Sequence, residues 1–523
     1  MPLLISFSVY LIFVLALLAL RIGHRPYSIS WTTAALGALA GLVSVFFWTL
    51  EIPFTVHPPD FWTSGILPAP YAFVIDTPSW IIALGLACFL PSVLLTSPAR
   101  NEQSLTPSSW IASFGVTGLS ILTVLAENPQ TLLTGWALID LIEVINLLRL
   151  SRSAEDSVNA ISDFSIRLLG LFIAIFGMVG LNPAGLATPI TSITGQAPAI
   201  AMILSAGLRL GVIPFRLRYR SDTPTQFGFT TLIRVATAVT SLLPIARISL
   251  VDISTPVKIL ALFLVGLSGL AAAWLWLTER SNIDHRQHYL ALTTALFIFS
   301  AMGGNPTGAL AWAGVLLFNG AALFLSTSNT PRMRVALSIF SILLIGLPFT
   351  YTATVFSGQS PWPFFFSPLF FMINLAAVGG HLRHQFSAEE ASIQSLPLWV
   401  QTTYPVGIFI GPVFVFFLGF WGWEGSLQLG VWWAGLLALL LLLGAAILSW
   451  RNRALFLAFM DVRIDPLTRL LTSSSTMLSR LGSVLLSLLE RFFATLSLLL
   501  EGDGGIIWTG LIIVLLVLAS RGL

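Results

Sequence analysis

Charged residues are scarce in this 523-residue sequence, since Asp, Glu, Lys and Arg together make up only 9% of it. Soluble domains carry about 25% of these residues. Hydrophobic residues make up 56% of the chain. So little polar surface cannot cover a globular domain in water, which excludes a soluble enzyme. We therefore expect the lipid bilayer to be the solvent of this protein.

Thiols are almost absent as well, because Cys88 is the only cysteine. A disulfide framework, a thiolate zinc site or a cysteine-ligated iron–sulfur cluster needs at least two thiols from one chain. We therefore expect no cofactor, no metal site and no catalytic redox residues in this chain. The net charge is only +3 and the basic residues are scattered, which argues against a nucleic-acid partner.

Long hydrophobic runs are the dominant positive feature, and a run of roughly 20 residues is enough to cross a bilayer. They predict an all-α polytopic membrane protein with about 14–16 transmembrane helices. The first run has no basic residue before it and no small-residue cleavage site, so we interpret it as a retained span. The predicted spans lie near residues 2–20, 31–50, 71–96, 108–126, 131–150, 166–181, 198–215, 226–250, 257–278, 289–303, 307–326, 335–356, 364–380, 401–421, 428–450 and 506–521.

The arginines predict the orientation of these spans, because Lys and Arg collect in cytoplasmic loops. They fall in every second loop, and Arg167 is assigned to one of these loops, at the edge of the span 166–181. The loops 51–70 and 182–197 contain neither Lys nor Arg. This alternation predicts that the N-terminus lies outside and that the basic loops are cytoplasmic.

The segment 454–500 differs from the spans, because Arg463, Arg469 and Arg480 interrupt its leucines and leave one apolar face. This pattern predicts a long amphipathic helix that lies along the membrane or against a partner. The alternative is a helical hairpin with ordinary cytoplasmic packing.

Several short sequence strings follow one another in the middle of the chain. They are FVIDTPSWI at 73–81, NPQTLLTGWALID at 128–140, LRLGVIPF at 208–215, TPT at 223–225, DHRQHYLALTT at 284–294 and LIGLPFT at 344–350. In order, spacing and topological side, these strings resemble the antiporter-like membrane subunits of respiratory complex I, of membrane-bound hydrogenases and of Mrp antiporters. The resemblance covers residues 70–360, and the flanks match in hydropathy only.

The resemblance implies two inverted five-helix repeats, each with a broken helix near the midplane, where ions cross. It places the breaks at Pro214, Pro224 and Pro348. Together with the hydropathy of the flanks, it predicts five domains: N-terminal transmembrane helices at 1–70, an antiporter-like core at 71–360, C-terminal transmembrane helices at 361–453, an amphipathic lateral helix at 454–505 and a final transmembrane helix at 506–523.

Three positions differ from the family that the sequence resembles, in which a glutamate and midplane lysines move protons. The matching residues here are Ala137, Arg209 and Gly320. Arginine keeps its proton, because its pKa is above about 12, so Arg209 can hold a charge but cannot relay a proton. Alanine and glycine can do neither. The differences predict a subunit that keeps the scaffold and has lost or rerouted the ion path.

Asp140 and Glu143 provide an alternative route, because they share one helical face with Ala137. Ionisable groups at membrane depth are functional candidates, so both are proton-pathway candidates, with Arg209 or Arg234 as counter-charge. The other interpretation is a buried lock, in which the two carboxylates pair with Arg149, with Arg209 or with a neighbouring helix.

Asp76 is a further proton-pathway candidate, although an acidic residue at a helix start is more commonly a helix cap. The pairs His285 with His288 and His381 with His384 place two rings on one helix face, as some metal sites do. No cysteine accompanies them. We therefore interpret them as interfacial histidines near cytoplasmic helix ends.

Three hypotheses follow. In the first, the chain is a structurally retained, antiporter-like subunit of a larger complex in a bacterial inner membrane, and it docks other membrane subunits. In the second, it is an active cation/proton translocator that uses Asp140 and Glu143. In the third, it is an unrelated multi-span transporter. In all three, lipid surrounds the protein.

Overall fold

The structure, a computed structural model, describes residues 2–451 apart from 58–69, 101–106, 152, 180–185, 214–226, 251, 279–281, 327–329, 348–349, 357–365, 388–392, 394–395 and 422–431, and beyond these only residues 484, 487 and 491. The three prolines assigned to breaks, Pro214, Pro224 and Pro348, lie outside the described residues. So do the final span at 506–521 and, apart from three residues, the lateral helix at 454–505.

Helices form almost all of the regular structure in the described residues. They are α1 (Pro2–Ile22), α2 (Tyr27–Phe46), α3 (Thr77–Thr96), α4 (Pro107–Val124), α5 (Pro129–Leu150), α6 (Ala154–Val179), α7 (Gln196–Leu210), α8 (Phe227–Arg247), α9 (Thr255–Thr278), α10 (Asn282–Met302), α11 (Pro306–Phe318), α12 (Gly320–Leu325), α13 (Pro331–Ile342), α14 (Phe366–Ser387), α15 (Leu398–Trp421) and α16 (Trp432–Arg451). Two short strands, β1 (Phe54–Val56) and β2 (Phe73–Ile75), form an antiparallel pair before α3.

The helices have the length and apolarity of membrane spans. Within the described residues, nine helices are long and apolar enough to cross a membrane, and three shorter apolar helices accompany them. Large apolar side chains such as Leu4, Phe176 and Ile447 are mostly exposed on the outside of the bundle, where lipid would cover them. The protein is therefore an all-α polytopic membrane protein, as the sequence predicts.

Three helices begin in the same way, with a polar cap followed by a proline. The side chains of Asp76, Asn128 and Asn305 accept hydrogen bonds from the backbone N–H three residues later, at 3.0, 2.9 and 2.8 Å. A proline stands at the first or second helical position of each, where its missing N–H costs nothing. The interpretation of Asp76 as a helix cap is confirmed.

Residues with special backbone geometry end several helices of the described chain. α7 ends at Leu210, and the next residue, Gly211, has the left-handed φ of 72° that glycine adopts without strain. Asn319 separates α11 from α12, and Gly346, with φ of 91°, follows the short 3-10 turn after α13. In the described residues, α11 and α12 are thus separated by a break in the second half, while a broken helix in the first half and the inverted symmetry of two repeats stay predictions.

The centre of the bundle is formed by α3 and α11, which are buried from Ser79 to Thr96 and from Gly308 to Phe318. They approach closely at Gly85, where an added Cβ would lie 2.7 Å from Cδ1 of Leu317. α8 is also largely buried. This packing leaves α5 and α7 to meet α8 on one side of the bundle, and α6 packs against α5 and α7.

Candidate functional site

Three helices place charged side chains together inside the protein. α5 contributes Asp140 and Glu143, α6 contributes Asp163 and Arg167, and α7 contributes Arg209. We call these five residues the central ion cluster. None of the five is more than 4% exposed, although each carries an ionisable group.

Arg209 is held on every side of its guanidinium group. Its two terminal nitrogens donate to both carboxylate oxygens of Asp140, and the Nη2 to Oδ1 distance is 3.1 Å. Its Nε donates to the hydroxyl of Ser241 on α8 at 3.1 Å. The guanidinium carbon also lies 4.5 Å from the ring centroid of Trp136, whose indole N–H donates to the Thr240 carbonyl. This geometry fixes the position of the positive charge.

Arg167 joins the other carboxylates to the same cluster. Its Nη1 donates to Glu143 Oε2 at 2.6 Å and to Asp140 Oδ1 at 3.2 Å. Its Nε lies 3.4 Å from Asp163 Oδ2, one turn earlier on α6. The hydroxyl of Thr237 on α8 lies 3.2 Å from Glu143 Oε2. Asp140 therefore bridges two arginines, one from α6 and one from α7.

The balance of charge explains why ionised groups are tolerated here. Three carboxylates meet the two guanidinium groups of Arg167 and Arg209. Arg234 lies one turn before Thr237 on α8 and is 8% exposed, so it supplies a third positive charge on that face. A buried charge is costly unless it is paired and hydrogen-bonded. The cluster therefore acts as an electrostatic clamp between α5, α6, α7 and α8.

Ala137 and Gly320, which match proton-pathway positions of the family that the sequence resembles, have apolar neighbours. Ala137 lies one turn before Asp140 on α5 and packs against the hydrophobic core. Gly320 begins α12, and an added Cβ there would lie 3.4 Å from the Phe324 ring and 3.8 Å from Phe89. Neither position brings a titratable group to the interior.

Asp76 lies apart from the central ion cluster. Its Oδ1 accepts from Arg247 Nη2 at 2.6 Å, and Arg247 Nη1 donates to the Ala126 carbonyl at 3.2 Å. Arg247 ends α8, ten residues after Thr237, or about 15 Å further along the helix. Asp76 therefore ties the start of α3 to the end of α8.

The structure corrects the prediction for Arg167. The sequence assigned it to a cytoplasmic loop at the edge of the span 166–181, but α6 begins at Ala154 and Arg167 is fully buried within it. The hydropathy of the sequence excluded the first part of α6 from the span. A hydropathy value counts each charged residue as unfavourable, even where a partner neutralises the charge. The spacing of Asp163 and Arg167, four residues apart, is the signal in the sequence that indicates a shared helix face.

The histidines are buried where the structure describes them. His288 and His381 are each only 1% exposed, and their interpretation as interfacial histidines near cytoplasmic helix ends stays a prediction. α14 continues to Ser387, so His381 lies inside the bundle, with its Nδ1 2.5 Å from the hydroxyl of Ser341. In the part of the chain that the structure describes, no group of three or more His, Cys, Asp and Glu side chains is arranged to hold a metal ion.

Comparisons with known proteins rest on structure. No family model matches the sequence, and no curated protein matches it. The fold is similar to a chain in the Mrp complex from Dietzia sp., with a TM-score of 0.65 and 12% identity, covering 100% of this chain and 62% of that one. It is also similar to a chain of respiratory complex I from Thermus thermophilus with bound NADH, with a TM-score of 0.62 and 14% identity, covering 84% of this chain and 100% of that one.

A second structure of Thermus thermophilus complex I, with bound aureothin, matches with a TM-score of 0.58 and 14% identity, covering 82% of this chain and 99% of that one. The present chain thus spans about three fifths of the Mrp chain and nearly all of the complex I chains. At these identities, the likeness establishes a shared fold with membrane subunits of the two complexes.

Proposed function

We propose that this chain is an antiporter-like membrane-arm subunit of a bacterial energy-converting complex, retained as scaffold, in which fixed charges close the ion path through the first half. The observation that carries the proposal is the arrangement of Arg209, whose guanidinium is bound by Asp140, Ser241 and the Trp136 ring. An arginine held in this way cannot exchange its proton. The central ion cluster then locks helices together instead of relaying protons.

The partners in this proposal are other membrane subunits of a multi-subunit complex in the bacterial inner membrane. The structural neighbours support this, because each belongs to a structure of such a complex. Electron transfer, and any NADH:quinone oxidoreductase activity, would belong to partner subunits. The N-terminus would lie outside, and the segment 454–505 would contact a neighbouring subunit.

The test is proton flux in the assembled complex. The complex is purified from its native membrane in mild detergent and reconstituted into liposomes that contain a pH-sensitive dye. Asp140→Asn and Glu143→Gln are expected to reduce the amount of assembled complex, because each leaves an arginine partly unpaired. The flux per assembled complex is expected to stay at the wild-type value.

Leu138→Ala provides the matched control, since Leu138 lies on the same helix and is 44% exposed. It is expected to change neither assembly nor flux. Normal assembly of Asp140→Asn combined with a large loss of flux would contradict the scaffold proposal. Proton flux driven by the purified chain alone would contradict it as well.

One observation favours active translocation as a second candidate function. Glu143 contacts both Arg167 and the Thr237 hydroxyl, and the cluster holds more carboxylates than directly bonded arginines. A carboxylate beside a hydroxyl can pass a proton along a hydrogen-bonded chain. Thr237→Val would then lower the flux of normally assembled complex, whereas the scaffold proposal predicts no change.

A further inference from the structure

A second buried polar group lies in the other half of the chain, where α10, α13 and α14 meet. His381 on α14 contacts Ser341 at the end of α13 through its Nδ1, at 2.5 Å. Its ring lies edge-on to the ring of Tyr289 on α10, with the centroids 6.1 Å apart. The side chains of Phe324 and Trp276 pack on the other sides of Tyr289. This group contacts no residue of the central ion cluster among the contacts described.

Three side chains here have polar atoms without a protein partner in the described part of the chain. They are the Nε2 atom of His381, the hydroxyl of Tyr289 and both amide atoms of Asn374. Each side chain is at most 1% exposed. A buried polar atom left without a hydrogen bond is costly, and most such atoms in native proteins are paired with protein or with ordered water.

The three side chains line one seam between two antiparallel helices. Tyr289 meets His381 near one end of the seam, and Phe299 meets Phe370 near the other, with ring centroids 6.1 Å apart. Asn374 lies between these levels, seven residues before His381 and on the same face of α14, or about 10.5 Å along the helix. The unpartnered atoms of Asn374 and His381 thus lie about two helical turns apart along the same seam.

The chemistry of the unpartnered atoms indicates the ligand. A tyrosine hydroxyl and an asparagine amide each need to donate and to accept, and an imidazole nitrogen does one or the other according to its tautomer. A metal ion would satisfy only the acceptors, and an anion only the donors. Water satisfies both, because each water molecule can donate and accept hydrogen bonds to two to four polar partners.

We propose that ordered water molecules occupy this seam and connect His381 with Tyr289 and Asn374. The seam would give the second half of the chain a hydrated histidine, whereas the first half holds arginines fixed by carboxylates. His384, one turn further on α14 and half-buried, extends the polar side chains towards the helix end that we predict to be cytoplasmic. The proposal does not depend on the identity of the parent complex.

The first test compares two buried tyrosines in the full chain. The hydroxyl of Tyr351 donates to the Leu310 carbonyl at 2.9 Å, so Tyr351→Phe removes a known hydrogen bond and is expected to lower the Tm. If water binds Tyr289, then Tyr289→Phe also removes hydrogen bonds, and the Tm is expected to fall by a similar amount. A raised Tm for Tyr289→Phe would overturn the proposal, because it would show a hydroxyl buried without any partner.

The second test detects the water directly. X-ray radiolytic footprinting of the complex modifies side chains that lie beside bound water, and we expect Tyr289 to be modified much faster than Tyr351. Asn374→Leu, which removes the amide from the seam, is expected to slow the modification of Tyr289. Equal, slow modification of both tyrosines would overturn the proposal even if the variants do not fold, because this measurement uses the wild-type protein.

Discussion

The guanidinium group of Arg209 lies over the ring of Trp136, 4.5 Å from its centroid, and the two side chains come from different helices. The stacking leaves the edge of the guanidinium free to bind Asp140 and Ser241. A lysine ammonium could not make these three contacts at once, because it is a point charge without a plane. This relationship leads to predictions on stability that are separate from the flux measurements.

Arg209→Met is expected to destabilise the protein by about 3–5 kcal/mol, because it removes one partner of a buried ion pair. Asp140 would keep only its 3.2 Å contact with Arg167. Arg209→Lys keeps the charge and should recover part of the loss. Thermal unfolding of the purified protein measures both variants. Arg21→Met is the control, since Arg21 is exposed at the end of α1, and a wild-type Tm for Arg209→Met would contradict the clamp.

Asp140→Asn combined with Arg209→Met is expected to cost less than the sum of the two single variants. In the double variant, neither side chain leaves the other as a charged group without its partner. The coupling free energy should therefore be about 0.5–3 kcal/mol. A double-mutant cycle on thermal stability measures this coupling. Strict additivity would show that the two side chains contribute independently, against the direct contact between them.

Asp76→Ala is expected to lower stability by about 0.5–2 kcal/mol, because it removes the cap of α3. Asp76→Asn should lose less, since its amide oxygen can still accept from the Ser79 N–H. Because Asp76 is partly exposed, its ion pair with Arg247 should add little. Proton flux in reconstituted liposomes is expected to be the same for both variants. Loss of flux with normal stability would instead support the assignment of Asp76 to a proton pathway.

Gly85→Ala is expected to destabilise the protein by about 1–3 kcal/mol, because the added methyl group would overlap Leu317 where α3 crosses α11. Gly115→Ala on α4 is the matched control. A Cβ at Gly115 meets no atom within 4 Å, and alanine favours the helix over glycine. Thermal unfolding should therefore order the proteins as Gly115→Ala, wild type and Gly85→Ala, from most to least stable. Equal stability of the two variants would contradict close packing at this crossing.

Much of the fold could be predicted from the sequence. Insertion of a helix into a membrane depends on the summed hydropathy of one continuous segment, which can be read from that segment alone. The span near 108–126 corresponds to α4, and the span near 257–278 corresponds to α9. The cap at Asp76 was also predictable, since capping joins atoms only three residues apart. Where hydropathy misjudged a span, as before Arg167, a charge was neutralised by partners that a local score does not include.

The candidate site could be predicted only in part. Asp140, Glu143 and Arg209 are recognisable in the sequence as ionisable residues at membrane depth. Asp163 and Arg167 were not chosen, because they precede the most apolar part of α6 and resemble a loop. The polar seam at His381 was missed as well, because its members come from helices that are distant along the chain.

The sequence by itself determined that this protein lies in a membrane, that it is helical and where most of its helices begin, because each of these depends on the composition of one continuous segment. Only the tertiary structure decided which charges meet. Arg167 contacts Glu143 across 24 positions of sequence, and Arg209 contacts Asp140 across 69. Such pairings depend on the distance between helices, and the energy of a buried charge depends on its partner, so neither can be calculated from one segment alone.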